Sequence, residues 1–95
     1  MSAYVIVEVK VNDPERYEAY KKQASEAIAQ FGGRYLARGG QSETLEGDRQ
    51  PDRVVILEFD SLEQARSWHQ SEQYRPAREL RNATADSRMI VVDGI

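Results

Sequence analysis

Two glutamates stand inside apolar runs, in Ile6-Val7-Glu8-Val9 and in Ile56-Leu57-Glu58-Phe59. A carboxylate in such a setting loses solvation, and a second carboxylate or an arginine nearby splits or lowers its pKa. Glu8, Glu58 and Arg38 are therefore the candidates for general acid/base work. Glu58 would be the acid or base, and Arg38 its orienter or the anchor for an anionic or enolate group. Arg34 is a second arginine able to approach Glu58. The competing reading is an ion-pair network without chemistry, since structural networks perturb pKa values as well.

A second set of residues suits ligand contact rather than proton transfer. Tyr20 and Tyr74 each carry a hydroxyl that needs a partner when buried. His69 is the single histidine and would titrate near neutrality as a proton shuttle, although a plain helix-surface histidine fits as well. With Glu72 it has the spacing of half a metal site, but one histidine and no cysteine leave the rest of the ligand set missing. Arg81 follows Arg75 and Arg78 along one helical side and is an anion-binding candidate, against the reading of a solvated face. Neither Gly32-Gly33 nor Gly39-Gly40 has the glycine spacing of a phosphate loop. No nucleophile elbow is present. We therefore expect no metal and no cofactor.

The elements that must position these residues follow from periodicity. Tyr4 to Val11 alternates, with Val5, Val7, Val9 and Val11 on one face and Tyr4, Ile6, Glu8 and Lys10 on the other. Asp13-Pro14 is a helix start, and Tyr17, Tyr20, Ala24, Ala27, Ile28 and Phe31 recur at helical steps up to the stop at Gly32-Gly33. A short strand over 34–38 leads into a polar connection over 41–52. Arg53 to Asp60 is the next strand, with Val55, Leu57 and Phe59 on one side and Val54, Ile56 and Glu58 on the other. Ser61 with Gln64 is a capping box opening a second helix, which should break at 71–76 around Pro76. The last strand is expected over 88–93.

This order, β-α-β-β-α-β, is the ferredoxin-like α+β arrangement, with strand order 4-1-3-2 and both helices on one face of a four-stranded antiparallel sheet. Strands one and three are expected as parallel central neighbours, which would set Glu8 and Glu58 close together. The face without helices, with Tyr4, Ile6, Val54 and Ile56, is too apolar to leave in water, and a second copy of the chain would cover it.

Residues 1–95 form one expected domain, 40% hydrophobic and 31% charged, with a net charge of −3. That balance argues against a nucleic-acid partner. The absence of cysteine, of a leader-like N-terminus and of any long apolar run points to the cytoplasm and away from a membrane.

With these residues in place, the chain resembles the family known as domain of unknown function 1330, of the dimeric α+β barrel superfamily. The resemblance covers nearly the whole chain. It is carried by Tyr35-Leu36-Ala37-Arg38-Gly39-Gly40, Leu45-Glu46-Gly47, Arg53-Val54-Val55-Ile56-Leu57-Glu58-Phe59, Ala65-Arg66-Ser67-Trp68, Ser71-Glu72-Gln73-Tyr74, Arg81 and Val92-Asp93-Gly94. It implies a homodimer with its sheets face to face and a cavity on the uncovered side of each. Members of that family favour another aromatic residue where this chain has His69. The superfamily includes cofactor-free monooxygenases, muconolactone isomerase-like proteins and haem-degrading enzymes. A lone histidine gives no basis for haem ligation here. The reading is a small-molecule-binding dimer, with an oxygenase- or isomerase-like cofactor-independent enzyme as its catalytic form. The alternative is a structural dimer module whose charges only fix the interface.

Overall fold

The computed structural model describes residues 2–95 and arranges them as β1 (Ala3–Val11), α1 (Pro14–Gln30), β2 (Arg34–Arg38), β3 (Arg53–Phe59), α2 (Leu62–Gln70), α3 (Arg75–Thr84) and β4 (Ala85–Asp93). The local signals act where the sequence puts them. The Asp13 carboxylate accepts from the Arg16 amide at 3.3 Å, and Pro14 occupies the first helical turn, where its missing N–H costs nothing. Gly32 takes φ +75° to end α1, a left-handed conformation that side chains with a Cβ resist. The Ser61 hydroxyl caps α2 through the Gln64 amide at 3.0 Å. The expected break falls between α2 and α3, and the Ser71 hydroxyl bridges it, donating to the Trp68 carbonyl and accepting from the Tyr74 amide. The fold is ferredoxin-like, with the second helical connection built from two helices.

The strands form one sheet in the order β2-β3-β1-β4, the expected 4-1-3-2 read from the other edge. Every pairing is antiparallel. The expectation of parallel β1 and β3 is thereby corrected. The α1 crossover returns β2 in the direction of β1, and the β2–β3 hairpin then reverses β3. The consequence is a register in which Glu58 lies opposite Tyr4 and Glu8 opposite Val54. β4 also begins three residues earlier than expected, because Thr84 ends α3 and the chain turns directly into the strand.

Val5, Val7, Val9, Leu57 and Phe59 point at the helices and are buried, as the alternation requires. Trp68 of α2 packs on Phe59 at a ring-centroid distance of 5.3 Å and on Tyr74 at 4.4 Å, which places the densest part of the core under α2. α1 makes its main packing contacts with α3, whereas α2 lies against β1, β3 and β4. Long side chains fill the layer between α1 and the sheet. The opposite face carries Ile6, Val54, Ile56, Ile90 and Val92, and Ile90 retains 61% of its surface in solvent. No helix among the described residues is long and apolar enough to cross a membrane.

Candidate functional site

On the uncovered face the two glutamates are held apart. Glu8 sits four residues along β1 from the residue opposite Glu58, about 13 Å at the ordinary strand rise. They do not form a dyad, contrary to the proximity expected from parallel strands. Each has its own arginine. Glu58 accepts from Arg34 Nε at 2.9 Å, and Arg49 Nη2 reaches both oxygens of Glu8 at 2.6 and 2.8 Å. The Ser2 hydroxyl above all, helped by Arg34 and Tyr4, holds the Glu58 carboxyl below the usual carboxylate range, with desolvation opposing them. Glu58 is therefore ionised at neutral pH and a poor proton donor. A wide, shallow depression of about 480 Å³ lies at the Glu8 end, bordered by Lys10, Arg49, Asp52, Asp86 and Arg88.

On the covered face a different set comes together. A bulge between Tyr35 and Ala37 flips the side-chain parity of β2, so that Arg38 pairs with Val55 rather than with a residue of the uncovered face. Arg38 accordingly does not meet Glu58. Its guanidinium lies over the Tyr35 ring at 4.4 Å and donates to Ser25 Oγ on α1 at 3.2 Å. Tyr35 and Ser25 share a hydroxyl–hydroxyl bond of 3.1 Å, which makes a latch between β2 and α1.

Behind that latch, Tyr20 and Tyr74 share a hydrogen bond of 3.1 Å, and Arg81 Nη1 donates to the Tyr74 hydroxyl at 2.9 Å. Only one of the two phenol protons lies between the tyrosines. The other has no acceptor among the described residues in whichever direction the bond runs. Burial raises the pKa of Tyr20, its neighbour Tyr74 raises it further, and Arg81 opposes both. Burial likewise raises that of Tyr74, again against Arg81. Both phenols stay protonated, and the Tyr74 oxygen accepts from Arg81.

A small cavity of about 30 Å³, room for roughly two waters, lies between α1 and the sheet and is lined by Tyr17, Tyr20, Arg38, Arg53, Trp68 and Met89, among others. Arg53 extends from the start of β3 across Gly39, where a Cβ would come within 2.2 Å of Arg53 Nη1. Gly39 also has φ +73°, so both its missing side chain and its backbone freedom are used. Arg53 Nε, Trp68 Nε1 and Arg81 Nε are buried with no hydrogen-bond partner. Buried donors are nearly always satisfied in native proteins, so three around one layer are informative.

His69 lies outside this cavity, in a groove between α2 and β4 with Arg66, Met89 and Ile90. Burial, then the charges of Arg81 and Arg78, lower its pKa and keep it neutral. Among the described residues no three His, Asp or Glu side chains gather to hold a metal ion.

The sequence reading overlooked Arg53 as a site residue and took Tyr17 as core packing. The signal for Arg53 was present, because 53 shares its parity with the inward Val55, Leu57 and Phe59. For Arg38 no such signal existed, since nothing in Arg34 to Arg38 marks the bulge.

Tyr35, Arg38, Gly39, Arg53, Trp68, Tyr74 and Arg81 thus gather on the covered side of the sheet, and a family model matches the chain over residues 2–95. The protein belongs to the DUF1330 family. That family is a domain of unknown function. No curated protein matches this DUF1330 chain in sequence. Among solved structures it is similar to a protein of unknown function from Rhodopseudomonas palustris, with a TM-score of 0.81 at 23% identity, covering 99% of this chain and 82% of that one. It is also similar to SnoaB, a cofactor-independent oxygenase from Streptomyces nogalater, with a TM-score of 0.68 at 13% identity over 99% and 93% of the two chains. A dimeric ferredoxin-like protein of unknown function from Jannaschia sp. CCS1 gives 0.74 at 8% identity over 99% and 100%. At these identities the likeness establishes the fold.

Proposed function

We propose that this DUF1330 protein is a homodimeric small-molecule-binding protein whose ligand lodges between α1 and the sheet. The observation that carries the reading is the group of buried donors without acceptors, Arg53 Nε and Trp68 Nε1 on residues that line the cavity and Arg81 Nε behind them, where Arg81 meets Tyr20 through Tyr74. An unpaired buried donor costs on the order of 1–3 kcal/mol, and a ligand acceptor would relieve it. The dimer is supported by the uncovered apolar face of Ile6, Val54, Ile56, Ile90 and Val92 and by the dimeric state of the Jannaschia relative. Glu8 and Glu58, each paired with an arginine near an end of that face, would set the register of the two copies. The net charge of −3 and the lack of cysteine fit a cytoplasmic protein that acts on neither nucleic acid nor membrane.

The enzymatic form of the reading rests on the Tyr20–Tyr74–Arg81 chain. Preorganised donors of this kind stabilise an oxygen that gains negative charge, as in an enolate. The cavity lining holds no carboxylate and no histidine among the described residues, so it supplies donors and no general base. Binding is therefore the leading reading. An enzyme of the cofactor-independent class to which SnoaB belongs would have to receive a substrate that is already activated.

Native mass spectrometry of the purified protein, combined with thermal-shift screening of small organic acids, ketones and amides, tests both halves. We expect a dimer and a set of compounds that raise Tm. A monomer at micromolar concentration contradicts the dimer. A flat response to all three compound classes contradicts the cavity.

A further inference from the structure

The class of ligand can be read from what the layer contains and what it omits. The guanidinium groups of Arg38 and Arg53 line the cavity and that of Arg81 lies behind Tyr20 and Tyr74, and none of the three forms a salt bridge among the described residues. Elsewhere Arg16, Arg34, Arg49 and Arg75 have carboxylate partners, and the arginines without one, Arg66, Arg78 and Arg88, lie outside the cavity lining. Arg81 is only 7% exposed, so its charge is desolvated without a counter-ion. Leaving a buried charge unpaired is strongly unfavourable, and fixed charges of one sign select ligands of the other. The tyrosines add protons rather than lone pairs, since burial keeps Tyr20 and Tyr74 neutral and one of their protons is free. Apart from Lys21, which is paired with Glu18, the rest of the lining is largely apolar, with Val7, Val55, Leu57, Met89 and Trp68.

We infer that the ligand is an organic anion, a carboxylate, enolate or phenolate on a compact apolar body, with its charged group between Arg53 and Arg38 and its body against Leu57, Trp68 and Met89. The inference rests on the cavity reading above and adds its charge class. A guanidinium pair is suited to planar anionic oxygens, which it can meet with two parallel N–H bonds. At about 30 Å³ the cavity is much smaller than such a ligand, so admission requires the layer to open. The latch of Arg38, Ser25 and Tyr35 is placed to allow this. It ties α1 to β2 through the Ser25 hydroxyl, and an anion drawing Arg38 inward would exchange the Ser25 contact for a stronger charged one.

Matched isosteres separate charge from shape. Benzoate, phenylacetate and cyclohexanecarboxylate would be titrated beside benzamide, phenylacetamide and cyclohexanecarboxamide, with inorganic phosphate as the non-apolar anion. Trp68 is the only tryptophan, so its fluorescence reports the cavity directly. The expected result is a saturable fluorescence change and a raised Tm with at least one carboxylate, and neither with its amide or with phosphate. Arg53→Met should weaken the carboxylate about tenfold or more, Arg38→Gln should also weaken it, and Arg75→Met on the surface of α3 should not. If Arg53→Met fails to fold by circular dichroism, Arg38→Gln alone decides the point. Amides that bind as well as their acids would overturn the charge class and leave the cavity standing. A panel in which no acid and no amide perturbs Trp68 or Tm would overturn the cavity and the anion together.

Discussion

The two faces of this sheet are built from the same strands and fail to satisfy opposite things. On the uncovered face Glu8 and Glu58 both have arginine partners, while Ile90 and Val92 remain in solvent. On the covered face the apolar groups are buried, while Arg53, Trp68 and Arg81 keep donors with no acceptor. One face lacks apolar cover and the other lacks negative charge. On the proposed reading, a second copy of the chain would remedy the first and an anionic ligand the second. The contrast shows that the carboxylates, the obvious chemical residues in the sequence, sit on the face whose electrostatics are already complete.

The largest effect should come from breaking the covered face. Phe59 is fully buried against Trp68, and Phe59→Ala should cost about 3–5 kcal/mol, seen as a lower midpoint in urea unfolding. On the other face, Ile90→Lys should leave the fold nearly as stable and move the protein from dimer to monomer in sedimentation velocity. If the two substitutions lower stability equally and neither changes the mass, the division of labour between the faces is wrong.

Gly39→Ala comes next and acts on the covered face alone. It forces a Cβ into a left-handed backbone and into the path of Arg53, at about 1–3 kcal/mol for the backbone strain. Trp68 fluorescence should change with it, because Arg53 and Trp68 line the same cavity. A variant of unchanged stability would mean that Arg53 does not need the glycine.

How far these features could be read in advance depended on whether they obeyed a period. β1, β3 and α1 did, and their inward and outward residues match the structure. Asp13, Ser61 and Gly32 act locally, so their roles were also legible. Strand direction is not a local property. Taking β1 and β3 as parallel brought Glu8 and Glu58 together, and tracing the chain through the β2–β3 hairpin would have separated them. Arg38 depended on a bulge that no residue type announces, and its partner Ser25 lies on another element. Tyr20, Tyr74 and Arg81 were named from their chemistry alone, and tertiary packing brought them together.

On the uncovered face, the Glu8–Arg49 pair is half exposed, so Glu8→Gln should cost less than about 1 kcal/mol, shrinking further in high salt. A larger, salt-independent loss in the dimer would mean that the partner copy buries the pair.

The smallest effect concerns the groove that contains His69. Burial, Arg81 and Arg78 lower its folded pKa below the unfolded value of about 6.5. The neutral form is therefore the one the fold prefers. The unfolded chain takes up its proton first as pH falls, so protonation favours unfolding. The contribution of His69 is complete above the unfolded pKa and is lost as pH drops through 6.5 toward the folded value. Glu58 behaves in the same sense but lower on the scale, because its window opens only below the ordinary carboxylate pKa. Comparing Tm at pH 7.5 and pH 5.5 isolates the histidine. The native protein should lose stability over that interval and His69→Gln should lose less, whereas Glu58→Gln should track the native protein until the pH falls below 5. An equal drop in native protein and His69→Gln would place the titrating group elsewhere and leave the α2–β4 groove without a role in the pH response.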